Sequence, residues 1–308
     1  MTRAGSKQLL PIYDKPLVYY PLCTLLHAGV REILVITTPG DADAFVRLLG
    51  DGSQWGIDLR LAVQQAPRGI AEALIIGRHF LDDGPAVLIL GDNIFYGHGL
   101  PEILQSACAS TSGATLFGYW VNDPERYGVA EFDAAGRVIG VEEKPARPRS
   151  NYAVTGLYFY DEMAPRYAID LKPSVRGELE ITDLNRRYLA RGEAVLQRLG
   201  RGFAWLDTGT PASMLDAASF IRTVEQRQGL KIACPEEVAY RMGFIDEDAL
   251  GRAAALIAHT DYGRYLARLV QQECHDGASI FHGERVADSG ADSQPARSDP
   301  VSAQGVPG

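Results

Sequence analysis

Two aspartates that lie far apart in the sequence each occur at the end of a predicted strand. Asp92 follows the apolar run over residues 86–90, and Asp207 lies in the string over residues 205–209. We interpret residues 86–90 as a buried parallel strand, and open α/β sheets bind ligands beyond the carboxyl ends of such strands. Asp92 is therefore predicted at a ligand-binding edge, where its carboxylate suits Mg²⁺. Taken alone, it could equally cap the next helix.

The composition is that of a soluble globular protein and excludes several other classes. The 308 residues are 46% hydrophobic and 22% charged, enough for one large domain and a smaller appendage. A net charge of -9 argues against general nucleic-acid binding, which needs clustered Lys and Arg. The sequence shows no membrane-spanning segment and no signal peptide, and its cysteines lack metal-binding spacing. We therefore expect a cytoplasmic protein with reduced thiols.

Apolar runs alternate with helical patterns in the first part of the chain, as they do in βαβ units. Strands are predicted over residues 32–37, 59–64, 86–90 and 114–121. Helices are predicted over residues 41–49, 69–80 and 101–108. This order predicts an α/β, Rossmann-like fold with a right-handed, doubly wound sheet and a ligand crevice at its edge.

The later part of the chain departs from that rhythm. Residues 129–132 and 138–142 flank a turn, which predicts a hairpin and makes the central sheet mixed, though mainly parallel. A strand over 153–160 and helices over 178–183, 211–228, 235–241, 247–258 and 262–273 are also predicted. We expect a core over residues 1–229, a C-terminal helical region over 230–274 and a disordered, Gly-, Ser- and Asp-rich tail over 275–308.

Seven short strings carry a resemblance to a known family. They are residues 6–16 (SKQLLPIYDKP), 91–98 (GDNIFYGH), 123–129 (DPERYGV), 142–145 (EEKP), 151–158 (NYAVTGLY), 176–183 (RGELEITD) and 205–210 (WLDTGT). In order and spacing, over roughly residues 1–272, the chain resembles the short bacterial glucose-1-phosphate thymidylyltransferases. The resemblance implies a Rossmann-like nucleotidyltransferase fold and a homotetramer. It also implies Mg²⁺-dependent transfer from dTTP to glucose 1-phosphate, giving dTDP-glucose and pyrophosphate, commonly as the first step toward dTDP-rhamnose.

The resemblance assigns charged roles to five residues. Asp92 and Asp207 would hold Mg²⁺, which prefers a few carboxylate oxygens together with phosphate oxygens and water. Lys7 would neutralise the nucleotide and sugar phosphates, and Lys144 and Arg176 would also face phosphate. Taken alone, Lys7 could be an ordinary solvated lysine, but the string over residues 6–16 favours the active-site role.

The resemblance also implies which residues contact the base and the sugar. Gln64 and Gly69 match the thymine-recognition segment, where an amide can pair with a base edge and glycine permits close backbone approach. Gly128, Glu143 and Val154 would hold glucose, with Glu143 accepting hydrogen bonds from sugar hydroxyls. Glu143 and the adjacent lysine could instead form an exposed ion pair of little energetic value.

Two features depart from the family pattern. Arg68 and Glu72 occur where the family usually has Asp and Gln, which affects the predicted base segment. Relatives also begin with an apolar strand and a Gly-Gly-x-Gly-x-Arg-Leu phosphate loop, whereas this sequence begins just beyond that loop, so we expect a start codon assigned too late. Two alternatives remain open: a catalytically inactive sugar-nucleotide-binding subunit, and the same chemistry with UTP or another sugar 1-phosphate.

Overall fold

A computed structural model of the protein describes residues 5–110 and 112–275. The strands are β1 (Pro11–Ile12), β2 (Lys15–Pro16), β3 (Glu32–Thr37), β4 (Asp58–Val63), β5 (Ala86–Ile89), β6 (Asn93–Gly97), β7 (Ala114–Trp120), β8 (Gly128–Phe132), β9 (Val138–Glu143), β10 (Tyr152–Tyr160), β11 (Ala194–Leu199) and β12 (Phe203–Asp207). The helices are α1 (Tyr19–His27), α2 (Ala42–Leu49), α3 (Glu72–Ile76), α4 (Arg78–Leu81), α5 (Leu100–Cys108), α6 (Ala164–Ile169), α7 (Ile181–Ala190), α8 (Pro211–Gln228), α9 (Pro235–Arg241), α10 (Glu247–Leu256) and α11 (Asp261–His275).

Strand β10 lies at the centre of a six-stranded mixed sheet. The strands follow the order β11–β7–β10–β8–β9, and β5 also pairs with β10. Because β7 occupies one edge of β10, β8 and β5 share the other edge. Every residue from Ala153 to Tyr160 is buried, since helices cover both faces of this apolar and aromatic strand. The predicted α/β fold with a mixed sheet is confirmed.

Strand β5 differs from its prediction as a buried parallel strand. It runs antiparallel to β10, with Ile89 opposite Leu157, and only its first residue, Ala86, is fully buried. Within the described residues, parallel pairing is confined to β3–β4 and β7–β11, which is less than the sequence predicts. The physical reason is that an apolar run indicates burial but does not determine the direction of the partner strand.

Several helices agree with the sequence patterns, but those near residues 77 and 181 differ from their predictions. The helix predicted over residues 69–80 is two short helices, α3 and α4, with Gly77 between them. Helix α8 has the predicted bounds, because Thr210 and Ser213 form a capping box at its start and Gly229 ends it in a left-handed conformation. The helix predicted over residues 178–183 begins only at Ile181, because Glu180 is extended, and continues to Ala190. Helices α1 and α6 have no counterpart among the predicted elements.

The C-terminal helices pack into the same body as the sheet. Val238 and Ala239 of α9 lie in a hydrophobic cluster with Trp55 and residues of α1. The described residues up to Val270 form one compact unit, and the predicted boundary at residues 229–230 remains a prediction. The predicted disordered tail lies outside the described residues, apart from its first residue. In the described part of the chain, no helix is long and apolar enough to cross a membrane.

Candidate active site

A pair of antiparallel strands brings the two aspartates together. Strands β6 and β12 pair so that Asn93 lies opposite Asp207, and Asp92 immediately precedes β6. The N–H and the hydroxyl of Thr208 both donate to the carbonyl oxygen of Asp92, at 3.0 and 2.8 Å. Two motifs that are distant in the sequence are thereby joined backbone to backbone. The side chains of Asp92 and Asp207 are both partly exposed, so a ligand can reach them.

Asn93 holds this junction from the interior. Its Nδ2 donates to Asp92 Oδ1 at 2.9 Å, and its Oδ1 accepts from Gly156 N at 3.0 Å and from Trp205 Nε1 at 2.7 Å. A Cβ at Gly156 would lie 2.7 Å from the same Asn93 Oδ1, so the contact requires glycine. Sequence reasoning assigned no role to Asn93. The sequence did contain a hint, because Asn93 is adjacent to Asp92 and the string over residues 205–209 begins with a tryptophan that can donate a hydrogen bond.

Asp207 carries its charge in an unfavourable environment. Burial, and then the negative charge of Asp92, raise the pKa of Asp207, while Lys7 and Arg126 lower it in part. Lys7 Nζ forms an ion pair with Asp92 Oδ2. Arg126 is bound through Nη1 to Asp123 Oδ2 at 2.7 Å, and its influence on Asp207 was missed by the sequence interpretation. The two carboxylates repel each other, and the nearby cations compensate only partly.

Lys7 is positioned by a short 3₁₀ turn, Lys7–Leu9, that packs on the backbone just before Asp92. A Cβ at Gly91 would lie 2.9 Å from Gln8 Cγ, so the turn rests directly on the backbone before Asp92. Lys15, in the same string, has a different environment. It is 2% exposed, and its Nζ lies 2.8 Å from Glu225 Oε1. Lys15 therefore has a structural role.

The predicted base segment follows β4 and is hydrogen-bonded to the segment before α7. Leu179 N donates to Arg68 O at 2.7 Å, and Gln64 Nε2 donates to Gly69 O at 3.2 Å. Gly69 has a φ of +99°, and a Cβ there would lie 2.3 Å from Leu179 O. In this structure, the contact with Leu179 and the positive φ account for glycine at this position. The close approach of a base remains a prediction.

Glu143, Gly128 and Lys144 lie together at the end of the β8–β9 hairpin. Gly128 is opposite Glu143 in the register, and the Thr182 hydroxyl donates to Glu143 Oε2 at 2.6 Å. Lys144 Nζ lies 3.8 Å from Glu143 Oε1, and the Lys144 side chain is 52% exposed. The ion pair between Glu143 and Lys144, which was the alternative interpretation of these two residues, is therefore present. The buried hydroxyl of Thr182 also fixes the Glu143 carboxylate, which a simple surface pair would not require.

The hydroxyl of Tyr158 is influenced by carboxylates from both the hairpin end and the acidic motif at Asp92. Its side chain is buried in β10. Burial, followed by the charges of Glu143 and Asp92, raises the pKa of Tyr158. The carboxylates of Glu143 and Asp92 therefore both act on this one hydroxyl group.

Val154 and Arg176 have other partners. Val154 is buried in the core of β10 and lies opposite Gly118 of β7. Arg176 Nη2 donates to both carboxylate oxygens of Glu180 at 2.9 Å. This hydrogen bond is the main cause that raises the pKa of Arg176, and Glu143 contributes least. The roles predicted for Val154 and Arg176 remain predictions.

A cavity of about 550 Å³ opens beside the predicted base segment. Gln64, Gly69 and Gly91 contribute to its lining, and apolar side chains of β3, β5 and α3 form much of the rest. The cavity thus joins the predicted base segment to the loop that precedes Asp92.

Comparison with known proteins identifies the family. A family model described as nucleotidyl transferase matches residues 1–224. The glucose-1-phosphate thymidylyltransferase of Xanthomonas campestris pv. campestris (strain B100) is 59% identical over 272 residues, which cover 88% of this chain and 92% of that protein. The protein of the same name from Neisseria meningitidis serogroup A is 55% identical over 272 residues, covering 88% and 94%. The chain belongs to the nucleotidyl transferase family.

Solved structures agree with this assignment. This nucleotidyl transferase superposes with a TM-score of 0.66 on a glucose-1-phosphate thymidylyltransferase structure from Bacillus anthracis in complex with sucrose. The two are 38% identical, and the match covers 72% of this chain and 88% of the other. A UDP-glucose pyrophosphorylase complexed with UDP-glucose has a TM-score of 0.62 over 71% and 90% of the two chains, but at 21% identity it shows the fold alone.

The acidic pair of this nucleotidyl transferase fits a divalent cation that is shared with a substrate. Within residues 5–110 and 112–275, no group of three or more His, Cys, Asp or Glu side chains is assembled for an all-protein metal site. Mg²⁺ commonly uses one or two carboxylates and completes its shell with phosphate oxygens and water. The raised pKa of Asp207 fits this interpretation, because a cation would relieve the repulsion from Asp92.

Proposed function

We propose that this nucleotidyl transferase transfers the thymidylyl group of dTTP to glucose 1-phosphate, giving dTDP-glucose and pyrophosphate. The observation that carries the proposal is the 59% identity to a glucose-1-phosphate thymidylyltransferase over 92% of that protein. The joined acidic motifs, with Lys7 paired to Asp92, supply a site of matching chemistry. No observation on the described residues favours the alternative of a catalytically inactive subunit.

The reaction needs no covalent intermediate on the protein. A phosphate oxygen of glucose 1-phosphate forms a bond to the α-phosphorus of dTTP, while the bond from that phosphorus to the bridging oxygen breaks and pyrophosphate leaves. Such in-line transfers depend on positioning the reactants and neutralising their charge. We assign Mg²⁺ to Asp92 and Asp207. When bound, it neutralises phosphate charge and orients the phosphate oxygens.

The cationic side chains would contribute to the same task. Lys7 lies beside Asp92 and can provide a compact positive charge for the phosphates. Lys144 is half exposed at the hairpin end, where it can meet the phosphate of the sugar. Arg176 uses Nε and Nη2 in its three hydrogen bonds to Glu180, and the remaining N–H donors of its half-exposed guanidinium group can face phosphate.

The remaining predicted residues would select the sugar and the base. Glu143 is fixed by Thr182 and keeps a second oxygen that can accept from a sugar hydroxyl. Gly128 lies beside that carboxylate, and a Cβ there would be 3.4 Å from Glu143 Oε2. Val154, with its side chain in the core, would contact glucose through its backbone. Gln64 and Gly69 would meet the thymine base.

We also propose a cytoplasmic homotetramer that acts on small molecules and binds neither nucleic acid nor membranes. The acidic net charge of -9 supports the exclusion of nucleic acid. Light scattering coupled to size-exclusion chromatography would test the tetramer, and a mass of one or two chains would contradict it.

The test of the proposed function is product formation from defined substrates. The protein is incubated with Mg²⁺, glucose 1-phosphate and either dTTP or UTP, and pyrophosphate and the nucleotide sugar are both quantified. We expect equal amounts of pyrophosphate and dTDP-glucose, with loss of both when EDTA removes the metal. A clear preference for UTP, or for galactose 1-phosphate in a parallel reaction, would contradict the proposed substrates. No product from any pair would favour the inactive subunit.

A further inference from the structure

Asp41 occupies the position that would cap α2, yet its carboxylate does not cap the helix. The residue just before a helix commonly accepts a hydrogen bond from the backbone of the first turn, and Asp is among the residues preferred there. Asp41 is the N-cap residue of α2, but its side chain makes no such bond. Helix α2 therefore lacks a stabilising contact that its own sequence can supply, and the carboxylate is used elsewhere.

The two oxygens of Asp41 bind two other segments. Oδ1 accepts a hydrogen bond from the backbone N–H of Ser6 at 2.9 Å, and Oδ2 accepts one from the hydroxyl of Thr38 at 2.6 Å. Thr38 directly follows β3, at the carboxyl end of that strand. Hydrogen bonds to an ionised carboxylate are among the stronger ones in proteins. Asp41 thus joins the end of β3 to the residue that precedes Lys7.

The 3₁₀ turn Lys7–Leu9 is held from two sides. The carbonyl of Ser6 accepts a hydrogen bond from the last residue of the turn at 3.1 Å, while the N–H of Ser6 binds Asp41. On the other side, the N–H of Val18 donates to the carbonyl of Gln8 at 2.9 Å. The bond from Val18 fixes the middle of the turn, and the bond to Asp41 fixes the backbone immediately before Lys7.

We infer that Asp41 is a positioning residue for Lys7, and that it holds the start of the turn so that the Lys7 ammonium stays beside Asp92. This inference rests on the proposed function and deepens it, because Lys7 is the cation that would neutralise the substrate phosphates. A lysine ammonium is a point charge on a flexible stem, so its location depends on how well its backbone is fixed. Small displacements of a catalytic group can lower the rate strongly.

The first test compares kcat/KM for dTTP between wild-type protein, Asp41→Ala and Asp41→Asn, with glucose 1-phosphate and Mg²⁺. Alanine removes both hydrogen bonds, and we expect a loss of at least about 10-fold. Asparagine keeps an oxygen for the N–H of Ser6, and its amide can donate to the hydroxyl of Thr38, so its activity should lie within about threefold of wild type. The matched control is Asp43→Ala, which removes an exposed carboxylate from the first turn of the same helix and should leave activity unchanged.

A second pair of variants removes the other half of the same hydrogen bond. Ser6 has a φ of -64°, which proline adopts without strain, and proline lacks the N–H that Asp41 accepts. Ser6→Pro should therefore reproduce the loss seen in Asp41→Ala, and the two changes together should lose no more than either one alone. Ser6→Ala keeps the N–H and removes only the hydroxyl, which binds Gln8, so it should lose much less than Ser6→Pro.

The comparison that separates positioning from a general structural role places Asp41→Ala in a Lys7→Ala background. If Asp41 acts through Lys7, it should lower kcat/KM by less than about threefold once the ammonium is gone. Circular dichroism establishes that each variant is folded. Ser6→Pro in the same background provides the same comparison if Asp41→Ala does not fold.

Three results would overturn the inference while leaving dTTP turnover by the wild type intact. The first is a loss of the same factor with and without Lys7. The second is an Asp41→Ala protein as active as the wild type, and the third is an Asp41→Asn protein as impaired as Asp41→Ala. Wild-type protein that does not turn over dTTP would instead refute the proposed function, and this inference with it.

Discussion

Replacing Lys15 with methionine should destabilise the protein by about 3 kcal/mol. Lys15 is 2% exposed and binds Glu225, which is 6% exposed, at 2.8 Å. Removing one member of a buried ion pair typically costs about 3–5 kcal/mol, because the other charge stays buried without compensation. We expect the lower end, since Lys231 Nζ and the N–H of Ile232 still bind the Glu225 carboxylate, both at 2.9 Å. At about 2–4 °C per kcal/mol, the thermal midpoint should fall by about 6–12 °C.

Urea unfolding followed by circular dichroism gives the free energies, and a double variant isolates the pair. Lys15→Met combined with Glu225→Leu should cost less than the sum of the two single changes by about 1 kcal/mol or more, because the uncompensated charge is gone. The control is Arg60→Met, which breaks an exposed pair with Asp58 and should leave the midpoint nearly unchanged. A Lys15→Met variant as stable as the control would refute the argument that this buried pair joins the string of residues 6–16 to α8.

Three further predictions concern the site. Asp207→Asn should raise the thermal midpoint of the metal-free protein by a few degrees while abolishing activity. Because the pKa of Asp207 is raised, the stability gain should grow as pH rises from the ordinary aspartate range through that raised value and then level off, as calorimetry across pH would show. Gly69→Ala should lower the free energy of unfolding in urea by about 2–3 kcal/mol, because the new Cβ would lie 2.3 Å from the backbone. The control Gly177→Ala has a similar positive φ but open space around it, so it should cost less, and equal losses would contradict the packing argument. Trp205→Phe should lower the free energy of unfolding by about 1–3 kcal/mol and lower kcat, because it removes the hydrogen bond from the indole N–H to Asn93. The control Trp120→Phe, at a 57% exposed position, should change neither quantity, and similar effects of the two variants would contradict the role of the indole N–H.

Local elements were predictable wherever the residues themselves determine the ends. The capping box at Thr210 and the left-handed Gly229 are local features, and α8 has the bounds that the sequence indicates. Pairing was less predictable, because an apolar run is compatible with either direction of a neighbouring strand. Strand β5 is an example, because only its first residue is fully buried although the whole run is apolar. Its antiparallel partner, β10, lies more than 60 residues further along the chain.

The candidate site was predictable as a set of motifs but not as a set of contacts. Asp92 was singled out because it follows an apolar run, and Asp207 because its motif matches the family, and the structure joins them through β6 and β12. The roles of Asn93 and Thr182 could not be read from the sequence, since each depends on a partner that only the fold brings near. The engagement of Gln64 with Glu72 is more local, eight positions apart, yet its geometry depends on the turn at Gly69.

The most direct test of the acidic pair as the centre of nucleotidyl transfer is the Mg²⁺ dependence of dTDP-glucose formation. Wild-type protein is compared with Asp92→Asn, Asp207→Asn and the control Asp248→Asn, which changes an exposed carboxylate at the start of α10. We predict Mg²⁺-dependent product with the wild type and the control. The two site variants should lose at least about 100-fold in kcat/KM while remaining folded. Full activity in either site variant, or activity of the wild type that persists in EDTA, would contradict the account.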